Sequence, residues 1–150
     1  MRKLIVVAAL GALAILVVLP AVGSAASTTL KATLSGKNEV PMKGDPDGSG
    51  TATLRVDPAK GTVCFTIKVK KIGPSAASHI HPGKKGKAGG VAVPLFGTTS
   101  SKTTRTGCAR NQPAATLRKI VRSPGSYYVN VHTAKYPDGA VRGQLEKDDD

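Results

Sequence analysis

The chain has 150 residues, with 22 Lys and Arg against 9 Asp and Glu, a formal charge of +13, and no Trp. So high a positive charge raises nucleic acid as a partner, but Lys31, Lys60, Lys84, Lys102 and Lys119 are scattered along the chain, and the three Tyr and two Phe have no stacking-platform spacing. Nucleic acid is therefore excluded as the expected partner, and the charge reads as a cationic surface suited to an anionic envelope polymer or to lipid head groups.

Arg2 and Lys3 precede an uncharged apolar stretch, Leu4 to Leu19, which Pro20 breaks. The small residues Ala21 to Ser27 then offer an A-x-A-like site, with cleavage expected after Ala25 or Ala26. The stretch is short of the about 20 apolar residues that a membrane-spanning helix needs. Residues 1–26 therefore read as a signal peptide and not as a stable transmembrane anchor. The protein is expected to be secreted, periplasmic or held at the cell envelope, with an extracellular protein as a candidate partner there. Losing Arg2 and Lys3 lowers the net charge from +13 to +11. What remains is enough for one domain with one core.

Past the signal, a period of two dominates. Leu30 to Leu34 alternates apolar and polar, and so does Thr51 to Val56, before a turn at Asp57 to Gly61. In the next run Val63, Phe65, Ile67 and Val69 share one face, and Cys64, Thr66, Lys68 and Lys70 share the other. Further strands are expected at Ala77–His81 and Val91–Phe96, around Cys108, at Tyr127–Thr133 and at Val141–Leu145. Pro82–Gly90 reads as a flexible cationic loop and Thr98–Arg105 as a mobile one. One helix is expected over Pro113–Arg122, where Leu117, Ile120 and Val121 stand at helical spacing, with Asn111 or Gln112 near its start. The pattern predicts an all-β, Greek-key β-sandwich of seven to eight antiparallel strands with one short helix.

Cys64 and Cys108 are the two cysteines of the chain, and neither lies in a C-x-x-C arrangement. In an exported protein they are expected to form a disulfide. Because Cys64 falls on the polar face of its strand, Cys108 is expected from a segment crossing outside that sheet. No G-x-S-x-G elbow and no Walker spacing occurs. The Asp45-Pro46-Asp47-Gly48-Ser49-Gly50 segment lacks the glutamate that an EF-hand requires and reads as a turn. No catalytic residue is assigned.

The three histidines lie in Ser78-His79-Ile80-His81-Pro82-Gly83 and Tyr127-Tyr128-Val129-Asn130-Val131-His132-Thr133. His79 and His81 are two apart, so on a strand their imidazoles share a face. With His132 from a second strand they would supply three corners of a copper or zinc site, leaving one position open. Such a site is expected to weaken below about pH 6, where imidazole takes a proton. The alternative is that these rings satisfy backbone groups or bond Asp and Tyr side chains. Glu39 and Arg142 read as an ion pair, with Arg142 beside the histidines as the other placement.

These two segments, with Asn38-Glu39-Val40-Pro41, Gly48-Ser49-Gly50-Thr51 and Gly143-Gln144-Leu145, resemble the chordin-type (CHRD) domain of secreted bacterial proteins. The resemblance implies a CHRD domain over 27–147, followed by an acidic tail at 148–150, and a Greek-key sandwich. It implies a binding or structural module without catalytic activity. The His-x-His strand is also similar to the copper-binding strand of copper–zinc superoxide dismutases. That similarity carries over to His79 and His81 alone, since those enzymes use further histidines and an aspartate. A copper- or zinc-binding envelope protein, with dismutase-like chemistry as its furthest extension, is thus the alternative function.

Overall fold

The computed structural model describes residues 26–148; the expected signal segment, except Ala26, and the last two residues of the tail lie outside the described residues. Nine strands form: β1 Thr28–Ser35, β2 Ser49–Asp57, β3 Thr62–Lys70, β4 Ser75–Pro82, β5 Val93–Phe96, β6 Thr104–Ala109, β7 Tyr127–Thr133, β8 Val141–Gln144 and the two-residue β9 Glu146–Lys147. The expected strands are all present. The ladder continues past Leu145, because β9 pairs with the start of β1 and the Asp148 amide donates to Thr29 O. One α-helix, α1 Ala114–Arg122, buries Leu117 and Ile120 with Val121 beside them. Its N-cap is Pro113 without a side-chain bond, and not Asn111, which adopts a left-handed φ of 57°.

The antiparallel sheet runs β5-β4-β7-β8-β1-β2-β3-β6. Its two edges approach each other, with Phe96 of β5 6.0 Å from Phe65 of β3 and the Arg105 guanidinium of β6 4.0 Å above the Phe96 ring. The sheet thereby becomes a nearly closed, flattened barrel. Alternate residues point inward: Leu30, Leu54, Val63, Ile67, Ile80, Val129 and Val131 are fully buried, and this apolar interior is the main stabilising element.

The outer face differs between the two halves of the sheet. Along β1, β2, β3 and β6 it carries threonines and lysines open to solvent. Along β4, β7 and β8 it carries His79, His81, His132, Asn130, Tyr128 and Arg142, and the segment between Pro82 and Gly90 folds over part of it. That segment, expected to be flexible, is clamped from beneath. Arg142 Nη2 donates to Lys84 O and Lys87 O at 3.1 and 2.7 Å, and Gln144 Nε2 donates to Gly83 O at 2.8 Å. The Thr98–Arg105 segment is tied as well, by a Ser75–Ser100 bridge and by Arg105, which donates to Thr98 O and Oγ1.

Cys64 and Cys108 form the expected disulfide. The route differs from expectation: Cys108 does not come from a segment crossing outside the sheet. Cys108 lies on β6, directly opposite Cys64 in the β3–β6 ladder. The short polar run around Thr104 pairs as an edge strand because β3 offers it an unpaired side.

Candidate metal centre

β4 and β7 are hydrogen-bonded neighbours, with Ala77 opposite His132, His79 opposite Asn130 and His81 opposite Tyr128. Residues two apart share a face, so the three imidazoles converge on one side of the sheet. Their ring nitrogens all lie within 4.8 Å of one another. The ring centroids of His79 and His132 are 4.9 Å apart, and those of His79 and His81 5.4 Å.

The hydrogen bonds set the tautomers. His132 Nδ1 donates to Pro137 O at 2.8 Å, in the turn that follows β7, which leaves its Nε2 lone pair facing His79 Nδ1 at 3.1 Å. His81 Nδ1 donates to Gly89 O and Gly90 O at 2.9 and 3.0 Å, and its Nε2 lies 3.1 Å from Asn130 Oδ1, a contact that this tautomer makes with the Asn130 amide turned end for end to donate. These backbone carbonyls are the outer partners that metal-ligating histidines ordinarily have. Both readings of the histidines therefore hold in part, since the outward nitrogens do bond backbone while the inward ones converge.

The spacing fits a transition-metal ion. With bonds of about 2.0–2.1 Å, the 3.1 Å separation of His79 Nδ1 and His132 Nε2 subtends about 100° at a shared ion. A tetrahedral ion with such bonds sets its ligand nitrogens about 3.4 Å apart, so His81, within 4.8 Å of the other two, would close in by up to about 1.4 Å. Burial holds the His79 imidazole at about 4, well below its ordinary value, with His132 and His81 adding repulsion. Burial also lowers His132, against a smaller opposing effect of its bond to Pro137 O. Neutral imidazole is the form that binds metal.

Beneath the histidines lies a layer that sequence reasoning did not assign to the site. Tyr128 stacks on His81 with ring centroids 4.9 Å apart and planes 7° from parallel, and the Arg142 guanidinium carbon is 3.4 Å from the centre of the Tyr128 ring. Tyr128 Oη also accepts the Gly89 amide. Tyr128, Asn130 and His132 recur at a period of two, so their common face is readable from sequence. Arg142 joins them only through the β7–β8 register.

Glu39 and Arg142 do not form the expected ion pair; the ion pairs found among the described residues are Lys31–Asp148 and Lys60–Asp57. Arg142 is turned to the loop carbonyls, and Glu39 Oε1 and Arg142 Nη1 are each buried without a hydrogen-bond partner. The Glu39 carboxyl packs against Gly139, in the turn that holds His132, where a side chain would collide with it. Burial raises this carboxyl from 4.5 to about 7, although Arg142 and the Val40 amide favour its charge. The folded chain thus holds a proton that the unfolded chain releases between these values, and the stability that Glu39 contributes falls as pH rises from about 4.5 to 7. Glu39→Gln should remove that loss, worth up to about 3 kcal/mol. Melting temperatures of both proteins at pH 5 and pH 8.5 check this: the variant should gain on the unmutated protein more at pH 8.5 than at pH 5, and an equal shift at both would contradict it.

The family model of the CHRD domain matches residues 30–145. No curated protein and no solved structure matches the chain.

Proposed function

From the premise that this chain belongs to the CHRD-domain family, we propose that it is an exported binding module whose ligand is a transition-metal ion, held by His79, His81 and His132. CHRD domains are extracellular, and the Cys64–Cys108 disulfide fits an oxidising compartment. The observation that carries the metal reading is the approach of His79 Nδ1 and His132 Nε2 to 3.1 Å, with His81 alongside. Three neutral imidazoles suit copper or zinc, and among divalent ions nitrogen sites favour Cu(II) over Zn(II). A fourth position is left to water or an external ligand.

Among the described residues, Tyr128, Asn130 and Arg142 beside the histidines are engaged in stacking and hydrogen bonds that hold rings and loop, so the proposal is binding. Arg142 and Gln144 hold the loop, the loop carbonyls hold His81, and the turn packed on Glu39 holds His132. Elemental analysis of untagged protein, purified without chelator, tests the reading. About one copper or zinc per chain is expected. A metal-free protein that also takes up no Cu(II) on titration would leave the histidines as hydrogen-bonding groups of a metal-independent module.

A further inference from the structure

The outer face of β1, β2, β3 and β6 is a regular polar lattice. Thr33, Thr51, Lys68 and Thr104 stand in one row across the four strands, and Thr53, Thr66 and Thr106 stand in the next. Rows are about 7 Å apart along the strands and neighbouring side chains about 5 Å apart across them. At the Lys68 end the face carries an open depression of about 630 Å³, lined by Lys68, Lys70 and Lys71 with Thr51, Thr103 and Thr104, and by Leu34 and Val69 at the rim of the core. The only carboxylate on these four strands is Asp57, at the far end of β2, where it accepts the Lys60 amide at 3.0 Å.

We propose that this face binds a linear acidic polysaccharide, with the lysines of the depression taking its carboxylates and the threonine rows its hydroxyls. Charge complementarity supplies the attraction. The face has no aromatic ring, so it cannot stack the bases of a single-stranded nucleic acid. The same lack leaves a neutral glycan with hydroxyl contacts alone. A bilayer is disfavoured too, since the exposed large apolar side chains, Met42 and Val91, lie off this face. The surface is separate from the histidines, which occupy the other half of the sheet.

Titration calorimetry of the disulfide-intact protein with polygalacturonate tests the proposal. Binding is expected at 50 mM NaCl and should weaken by about tenfold or more at 300 mM, as exposed charges are screened. Lys68→Ser/Lys70→Ser/Lys71→Ser should weaken it by more than about tenfold, whereas Lys43→Ser/Arg118→Ser/Lys119→Ser, which removes the same charge elsewhere, should change it by less than about twofold. Thr51→Val/Thr66→Val keeps the charge and suits a strand, and should weaken binding by about threefold or more through lost hydroxyl contacts. Circular dichroism melts confirm that each variant is folded. The proposal is overturned by absent binding at 50 mM NaCl or by equal losses in the two triple variants. It is equally overturned by a single-stranded oligonucleotide or phosphatidylglycerol vesicles binding as tightly as the polymer.

Discussion

His79→Ala/His132→Ala should lower Cu(II) affinity by more than about 100-fold, beyond the 10–100-fold typical of losing an outer partner of a metal ligand. The pair contributes the two nitrogens 3.1 Å apart, so its removal leaves His81 alone. His81→Ala should also weaken binding, while Lys85→Ala, on the exposed part of the loop, should not. Competition against a chromophoric chelator measures this, and unaltered copper affinity in the double variant would end the metal reading. The pH profile is a second readout. Binding is expected to weaken as pH falls below about 6, as protons compete for imidazole ligands, although burial keeps His79 itself neutral to about 4. Copper affinity unchanged from pH 7 to pH 4 would contradict ligation by histidine. The same depressed value acts on stability. Between about 6.5 and 4 the unfolded chain holds a proton that folded His79 does not. The His79 contribution to the stability of the metal-free protein should then fall with pH through that range, opposing the Glu39 contribution, and Glu39→Gln should uncover it as a loss of stability toward acid pH.

Cys64→Ser should destabilise the domain by about 2–5 kcal/mol, as is usual for a native disulfide in a small secreted domain. The bridge closes a loop of sequence separation 44 that includes β4 and β5. It also ties the edge strand β6, which pairs with β3 on one side, to the body of the sheet. Denaturant unfolding with and without a thiol reductant measures the effect. Reduction of the unmutated protein should reproduce the loss, and reduction of the Cys64→Ser variant should add nothing. A midpoint insensitive to reductant would contradict the assignment.

The sequence alone determined the strands other than β9, the inward set of Leu30, Leu54, Val63 and Ile67, and the helix with Leu117 and Ile120, because period and burial face are local properties of the chain. It also determined that His79 and His81 share a face and that Cys64 and Cys108 are each other's partners, the latter by lack of a competitor. What it could not determine was which strands are neighbours. The placement of Cys108 opposite Cys64, and of His132 beside His79, follows from β3 pairing with β6 and β4 with β7, between elements far apart in sequence. Arg142 shows the same division. Its charge suggested Glu39 as a partner, yet its register opposite Asn130 directs it under Tyr128 and to the carbonyls of Lys84 and Lys87. Only the tertiary structure decided that, because a buried guanidinium takes its partners from whatever acceptors the closed sheet brings within reach, and backbone carbonyls serve as well as a carboxylate.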